Sequence, residues 1–294
     1  MKIAVTGASG LIGTALVPTL RAQGHDVLRL VRRSAVAADE VTWDPTAGTV
    51  DLAALKGTDA VIHLAGAGVG DHRWTDAYKR TILDSRVQGT GAIARAVAAL
   101  DPAPSVLISA SAIGYYGDTG HEAVDESGPK GTGFLADVVE QWEAAADPAR
   151  AAGVRVVHPR TGLVVSGKGG AWGRMLPLFK LGVGGRLGSG KQWWSFISLT
   201  DQVGALTALL TSDHSGPVNL TAPNPATNAE VTRAMGEALH RPTVLPVPAF
   251  ALKAVLGEFS SEVLGSAKVL PGKLTASGFP FAHPTFASAF RSVL

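Results

Sequence analysis

The stretch KIAVTGASGLIG at residues 2–13 decides the fold of this chain. Residues 2–6 form a short apolar run, which is typical of a buried parallel strand. Gly7, Gly10 and Gly13 follow with the spacing GxxGxxG, and apolar residues at helical spacing come next. Because a glycine turn between a strand and a helix is the setting in which this motif binds a pyrophosphate, the sequence predicts a dinucleotide-binding turn.

The three glycines have different expected roles. Gly7 permits the tight turn, Gly10 the close approach of backbone to pyrophosphate, and Gly13 the packing of helix on strand. The helix that starts near Leu11 and Ile12 would direct the amides of its first turn at the phosphates. A glycine turn without a ligand is the alternative interpretation, but the flanking strand and amphipathic helix favour a binding site.

Further apolar runs predict strands at residues 25–31, 59–66, 105–111 and 154–160, with helical patterns between them. Strands that alternate with helices of this length form βαβ units, and right-handed crossovers arrange such units in one parallel sheet. The predicted fold class is therefore α/β, a doubly wound Rossmann sheet with a smaller C-terminal segment on the substrate side.

The rhythm of the pattern changes after residue 160. Residues 162–191 are rich in glycine and carry scattered lysines and arginines, and prolines are frequent from about residue 241. We therefore predict a dinucleotide-binding domain at 1–240, with the stretch near 162–191 covering the substrate side. Residues 241–294 form the predicted small C-terminal domain.

The composition excludes several classes of protein. Of the 294 residues, 46% are hydrophobic and 17% charged, which is typical of a globular enzyme. A net charge of +2 without any Lys/Arg run indicates no nucleic-acid partner. The chain has no cysteine, and its eight histidines form no HExxH motif, so we expect no thiolate chemistry and no metal site. No apolar run reaches about 18 residues, so we expect no membrane partner and a cytoplasmic protein.

The end of the second predicted strand indicates which dinucleotide is bound. NAD-binding enzymes place an acidic residue there to hold the ribose hydroxyls, but here the sequence is VRRS, with Arg32 and Arg33. A guanidinium beside the 2′-phosphate would favour NADP; two solvated surface arginines are the alternative. The third strand ends in HLAG, which brings Leu64, Ala65 and Gly66 to the carboxyl edge of the sheet. Small residues there would let the backbone follow the cofactor.

Several segments resemble a known family. TGASGLIG, HLAG and ISASAIGYYG resemble the extended short-chain dehydrogenase/reductases of the nucleotide-sugar epimerase type. RWTDAYKRTILDSRVQGT (73–90), GFLADVVEQWEAAA (133–146) and LPGKLTASGFPFAHPTFASAF (270–290) are similar to its atypical branch, usually labelled "epimerase family protein" or NAD-dependent epimerase/dehydratase. The resemblance implies an NADP-binding Rossmann fold with a small C-terminal domain.

The resemblance also implies cofactor contacts from the glycine turn, Arg32, Arg33, Leu64, Ala65 and Arg86. Ordinary extended members have an asparagine in the segment NVxGT, where this chain has Arg86 in RVQGT. That departure weakens the transfer of the usual proton-relay role to this position. A contact between Arg86 and the cofactor is our expectation, and an ion pair with Asp84 is the alternative.

The catalytic dyad of the ordinary relatives is missing. Their Tyr and Lys stand four residues apart on one helix face, and Phe134 and Val138 occupy these places. The chain has three tyrosines, and none is followed four residues later by a lysine. The absence therefore does not depend on the alignment.

Other hydroxyl groups are available in the segment after the strand at 105–111. Ser111, Tyr115 and Tyr116 are the candidate catalytic residues, because hydride transfer to nicotinamide needs a partner that handles a proton. Tyrosines that only shape the pocket are the alternative.

Two functions remain open at this stage. The first is an NADP(H)-dependent oxidoreductase or epimerase-like enzyme that acts on a small substrate, either an anionic compound or a nucleotide sugar. The second is an NADP-binding, redox-sensing regulatory protein without turnover. The sequence also leaves open whether the chain forms a homodimer.

Overall fold

The computed structural model describes residues 1–294 and shows a large, mostly parallel sheet with helices on both faces. The strands are β1 Lys2–Thr6, β2 Asp26–Val31, β3 Glu40–Asp44, β4 Thr49–Val50, β5 Ala60–His63, β6 Val106–Ser109, β7 Ser111–Ala112, β8 Ala123–Val124, β9 Arg155–Thr161, β10 Leu163–Val165, β11 Trp193–Trp194, β12 Phe196–Ser198, β13 Gly216–Leu220, β14 Ala226–Thr227 and β15 Lys268–Val269. The helices are α1 Gly13–Ala22, α2 Leu52–Leu55, α3 Asp76–Ala99, α4 Phe134–Ala144, α5 Asp147–Ala151, α6 Gly170–Lys180, α7 Leu199–Thr211, α8 Asn228–Leu239, α9 Ala249–Leu256, α10 Ser260–Leu264, α11 Gly272–Ala276 and α12 Phe286–Arg291. Two 3₁₀ turns lie at Ile113–Tyr116 and Gly257–Phe259.

The strand order of the large sheet confirms the doubly wound fold. It runs β13-β9-β6-β5-β1-β2-β3-β4, in which all neighbours except β3 and β4 are parallel. The chain starts at β1, adds β2 and β3 on one side, and then crosses to β5 on the other. Ligands of such sheets bind at the carboxyl ends of the strands where the order reverses, which here is the boundary between β1 and β5.

Alternating side chains of the central strands fill two separate cores. In β1, Ile3 and Val5 pack with apolar residues of α1 and α7, while Ala4 faces α3 and α5 on the other side. In a strand successive side chains point in opposite directions, and helices cover both faces of this sheet. Both faces of β1 are therefore buried. The rigid sheet fixes where each strand ends, and therefore where the loops at its carboxyl edge begin.

A third core lies beyond the sheet. It joins α6, α8 and α12 with β12, and contains the fully buried side chains of Trp172, Phe179, Phe196 and Phe290. The C-terminal segment thus packs against the glycine-rich stretch, in agreement with the predicted smaller unit on the substrate side. The division of the chain at residue 240 stays a prediction.

Two local features differ from what the sequence pattern suggested. The strand β3, next to β2, was not predicted, and it brings Glu40 beside the arginines that follow β2. The stretch 162–191, for which no regular element was predicted, contains the strand β10 and the helix α6. The helix α6 packs on β10 and α8. No helix is long and apolar enough to cross a membrane.

Candidate functional site

The glycine turn between β1 and α1 is dictated by close backbone contacts. Gly7 has φ +67°, and a Cβ there would lie 2.8 Å from the carbonyl carbon of Leu64. A Cβ on Gly13 would lie 2.3 Å from the carbonyl oxygen of Gly7. At Gly10 the only near atom is that same oxygen, at 3.3 Å. The protein itself therefore requires glycine at Gly7 and Gly13, while Gly10 leaves space on the outer side of the turn.

The first turn of α1 leaves backbone donors free. Ile12 occupies the N-cap position, and its side chain forms no capping hydrogen bond. The amides of Leu11, Ile12 and Gly13 have no acceptor within the protein, although Gly10 and Thr14 are bonded. Three neighbouring amides at the positive end of a helix dipole form a binding site for an anion.

The turn after β1 is tied to the chain after β5. Thr6 Oγ1 accepts hydrogen bonds from the amides of Leu64 at 3.0 Å and Ala65 at 3.2 Å, and it bonds to His63 Nδ1 at 2.8 Å. Burial lowers the pKa of His63 to about 4, so the ring is neutral and acts as a packed strand residue. The predicted cofactor residues of both loops are therefore brought together at the reversal point of the sheet.

The two arginines after β2 have different surroundings. Arg33 donates two hydrogen bonds to the Glu40 carboxylate, at 2.6 and 2.8 Å, and this pairing holds the pKa of Glu40 at about 2. Arg32 is exposed and forms no ion pair. The sequence showed no acid at this point because Glu40 comes from the next strand. Of the two residues, Arg32 is the one whose charge is unmatched.

Arg86 is half-buried without a carboxylate partner. Its Nη1 donates to the carbonyl oxygens of Ala67 at 2.9 Å and Ile82 at 3.1 Å, and its guanidinium lies 4.8 Å from the Trp142 ring centroid. Burial lowers its pKa to about 10. The alternative ion pair with Asp84 is not formed. The guanidinium contacts the backbone just after β5, beside Gly66, and retains donors for a ligand.

Two of the three candidate hydroxyls belong to a buried polar network around Glu143. Ser111 Oγ donates to Glu143 at 2.6 Å, and Arg160 binds the same carboxylate with two hydrogen bonds, at 2.8 and 2.9 Å. Arg160 also donates to Tyr116 Oη at 3.1 Å, and Tyr116 donates to Asn219 Oδ1 at 2.8 Å. Both hydroxyl groups therefore have partners within the protein.

Burial and charge act in opposite directions inside this network. Burial alone would raise the pKa of Glu143, but the hydrogen bonds and charge of Arg160 hold it below its ordinary value. Burial raises the pKa of Tyr116, and the bond from Arg160 only partly offsets this. The carboxylate and guanidinium are both ionised, and the Tyr116 hydroxyl stays protonated at neutral pH.

Tyr115 differs from its neighbour. It is half-buried, and its hydroxyl forms no hydrogen bond within the protein. The Arg160 guanidinium carbon lies 3.4 Å from the centroid of the Tyr115 ring, which holds that ring in place. Tyr115 is thus the candidate hydroxyl that remains available to a ligand.

The place of the missing dyad is filled by aromatic packing. Phe134 is the first residue of α4, and its ring lies 5.0 Å from that of Trp74, which also contacts Phe259 at 5.4 Å. Val138, at the place of the lysine, is buried in the same apolar cluster. No ionisable group replaces the dyad at its own position on α4.

The cations of the glycine-rich stretch are spread over the surface. Arg174 binds the Asp71 carboxylate at 2.8 Å and also donates to the carbonyl oxygen of Gly70. This contact joins α6 to the loop after β5. Trp194 and Ser195, which follow this stretch in the sequence, are buried.

Sequence reasoning missed Glu40, Glu143, Arg160 and Asn219. Arg160 ends a predicted strand, so its place at the carboxyl edge was available from the pattern. The pairing of Arg160 with Glu143 joins residues from β9 and α4, and no spacing rule relates them.

Comparison with known proteins agrees with this geometry. Residues 3–221 match the family model described as "NAD dependent epimerase/dehydratase family". The chain belongs to this family. Residues 247–293 match a second model, a domain of unknown function named DUF1731. The family and the small C-terminal domain that the motifs implied are therefore confirmed.

Relatives of this family member span its whole length. An epimerase family protein of Mycobacterium tuberculosis, MT2273, is 47% identical over 98% of this chain and 95% of its own. The epimerase family protein SDR39U1 of Bos taurus is 36% identical, with full coverage of both chains. The crystal structure of human SDR39U1 (isoform 2) with NADPH has a TM-score of 0.90 and 32% identity, and covers 100% of this chain and 99% of that one.

More distant neighbours share the fold alone. The structure of Thermus thermophilus UDP-glucose 4-epimerase with NAD has a TM-score of 0.76 at 20% identity, covering 100% and 97% of the two chains.

Proposed function

We propose that this family member binds NADP(H) and acts as an atypical oxidoreductase or epimerase-like enzyme that does not use the Tyr-xxx-Lys dyad. The observation that carries the proposal is the set of three unbonded amides at Leu11, Ile12 and Gly13, placed where the strand order reverses. A pyrophosphate accepts hydrogen bonds from such amides without any rearrangement of the protein. The NADPH in the human SDR39U1 structure supports the choice of coenzyme.

The chain offers cations for the remaining negative charge of the coenzyme. Arg32, without an acidic partner, would bind the 2′-phosphate, with Arg33 beside it in a position fixed by Glu40. Arg86 would donate its free N–H groups near Gly66, Leu64 and Ala65. A partly buried guanidinium without a counter-ion is costly, and a ligand oxygen would offset that cost.

Tyr115 is the proposed proton donor or acceptor. When bound, NADP(H) supplies or accepts the hydride. The protein must then place a hydroxyl beside the substrate oxygen, and Tyr115 Oη is the candidate hydroxyl without a partner. Ser111 and Tyr116 would act indirectly, because their bonds to Glu143 and Arg160 fix the guanidinium under the Tyr115 ring.

The proposed substrate is a small carbonyl or hydroxyl compound, anionic or a nucleotide sugar. Lys168 and Lys191 are cations of the glycine-rich stretch that form no ion pair in the structure. The nucleotide-sugar option follows from the family, whose model is described as NAD dependent epimerase/dehydratase.

Titration of the protein with NADPH and NADH, followed by a screen of carbonyl compounds and nucleotide sugars, tests the proposal. We expect Tyr115→Phe to lower turnover by about 10²–10⁴-fold without loss of thermal stability. Tyr116→Phe is the matched control, and it should lower stability because Arg160 and Asn219 lose a partner. Full activity in Tyr115→Phe would refute the assignment, and no affinity for either coenzyme would refute the whole proposal.

A second candidate function is an NADP-binding redox sensor without turnover. The aromatic packing of Phe134 against Trp74 favours it, since no acid stands where the ordinary extended short-chain dehydrogenase/reductases would have their tyrosine. Tight NADPH binding with no turnover on the whole panel would support the sensor and contradict the enzyme.

A further inference from the structure

Two chain segments beyond the sheet expose large apolar side chains next to each other. The first, residues 178–186, covers the end of α6 and the loop after it; the second, residues 241–255, covers a loop and most of α9. They lie side by side: the amide of Val247 donates to the carbonyl oxygen of Arg186 at 2.8 Å, and Pro242 packs near Gly182. Their exposed large apolar side chains are Leu178, Leu181, Val183, Val244, Leu245, Phe250 and Val255. We call this surface the apolar–basic face.

The helix α9 is unusual for a short surface helix. Its sequence AFALKAVL contains seven apolar residues and one lysine, and none of the eight is buried. Phe250 is 76% exposed and Val255 is 74% exposed. Single exposed apolar residues are normal, whereas a contiguous group from two segments indicates a binding surface.

The charges on this face are all of one sign. The two segments contain Lys180, Arg186, Arg241 and Lys253, and no aspartate or glutamate. None of the four side chains takes part in an ion pair, whereas cations such as Arg33 and Lys130 are paired. The excess is local, because the whole chain has a net charge of only +2.

This charge pattern decides between the occupants that would cover an apolar face. In a symmetric dimer through the face, unpaired cations would approach their own copies, which is unfavourable. A helix of an acidic partner would need an apolar groove, but the cavity of about 470 Å³ beside the second segment is lined by Arg233, Gly236, Glu237, His240, Arg241, Pro242 and Thr243. It offers no large apolar side chain. A flat anionic lipid surface needs no groove and matches both the apolar and the cationic groups.

We propose that the apolar–basic face attaches the protein to the surface of an anionic lipid bilayer. Phe250 and Val255 enter the boundary between headgroups and acyl chains, while Lys180 and Lys253 contact lipid phosphates. The absence of a spanning helix does not bear on this, because the contact is peripheral. Attachment would not depend on the proposed coenzyme chemistry, so the two proposals fail independently.

Flotation with vesicles tests the proposal. The full chain should float with vesicles of phosphatidylcholine plus phosphatidylglycerol, and not with phosphatidylcholine alone, and added salt should weaken the binding. The double variant Lys180→Gln/Lys253→Gln should bind about thirtyfold more weakly. Phe250→Ser and Val255→Ser should each weaken binding about tenfold.

Exposed residues outside the two segments of the apolar–basic face provide matched controls. Lys56→Gln and Val36→Ser change the same kinds of group away from the face and should leave flotation unchanged. All variants should keep the melting temperature of the parent, because the substituted side chains are exposed. Three results would overturn the proposal: no flotation of the parent, equal flotation of the face variants, or a dimer in light scattering that Phe250→Ser dissociates.

Discussion

The two halves of the sheet's carboxyl edge are built in opposite ways. After β1 and β5, the backbone leaves donors free at Leu11, Ile12 and Gly13, and side chains serve mainly to hold the loops together. After β6 and β9, polar side chains bind one another in the Ser111–Glu143–Arg160 network. The first half has free backbone donors that could bind an anion. The second half is a hydrogen-bonded scaffold that surrounds the unbonded hydroxyl of Tyr115.

The two halves differ in what constrains their residues. At Gly7 and Gly13 the glycine turn is constrained by backbone contacts of less than 3 Å, so any other side chain there would displace the backbone. The dyad of α4 depends on two side chains, and Phe134 and Val138 replace them with apolar packing. We therefore expect coenzyme binding and proton handling to be separable properties of this fold.

The largest effect is expected from breaking the scaffold of the second half. Glu143→Gln removes the carboxylate that compensates the buried Arg160, and the free energy of unfolding should fall by about 3–5 kcal/mol. Urea denaturation measures this. Glu140→Gln, on the same helix but exposed, should change it by less than about 1 kcal/mol. Equal effects of the two substitutions would show that the network is not a scaffold.

The glycine turn allows fold and binding to be tested separately in the first half. Gly13→Ala should destabilise the protein by about 3 kcal/mol, because the new Cβ would overlap the Gly7 oxygen. Gly10→Ala should leave stability nearly unchanged, since its outer side is open, yet weaken NADPH binding about a hundredfold by steric contact with the pyrophosphate. Calorimetric titration and thermal unfolding of both variants measure the contrast. Normal NADPH binding in Gly10→Ala would remove the pyrophosphate from this turn.

Acid should weaken both halves by the same mechanism. His63 in the first half and His158 in the second are buried, and burial lowers the pKa of each to about 4. Since the unfolded histidines take up protons near pH 6.5, stability is full above that value and is lost as pH falls toward 4. By pH 5 each should cost about 2 kcal/mol in unfolding free energy.

The pH effect is checked by denaturation of the parent and of single variants at pH 7 and pH 5. His63→Asn and His158→Gln should each remove about half of the difference between the two pH values. His72→Gln, at an exposed position, should remove none of it. A parent whose stability is the same at pH 5 and pH 7 would show that these rings are accessible to water.

The smallest expected effect concerns coenzyme choice. Arg32→Ala should weaken NADPH about tenfold and leave NADH unchanged, because only NADPH carries the 2′-phosphate. Arg33→Ala should also weaken NADPH more than NADH, but less than Arg32→Ala, since Glu40 already matches its charge. Fluorescence titration with both coenzymes measures this. Equal weakening of NADPH and NADH would contradict phosphate selection by these arginines.

The first half could be predicted from the sequence almost completely. The order strand, glycine turn, helix is local, and the contact that requires glycine at Gly13 lies within the same turn, at the Gly7 carbonyl oxygen. Leu64 and Ala65 lie at the carboxyl edge of the sheet as predicted, although the strand ends at His63 and not at residue 66. The absence of a Tyr-xxx-Lys pair was likewise fixed by counting tyrosines.

Tertiary structure alone decided the rest. Glu40 reaches Arg33 because β3 pairs with β2, and Glu143 reaches Arg160 because α4 packs on β7, the strand that pairs with β9. Such ion pairs join residues that no local pattern connects. For the same reason, only the fold could distinguish Tyr115 from Tyr116, whose hydroxyl meets Asn219 more than a hundred residues later in the chain. Neighbouring residues determine local geometry, whereas charge pairing and burial depend on which distant segments of the chain come into contact.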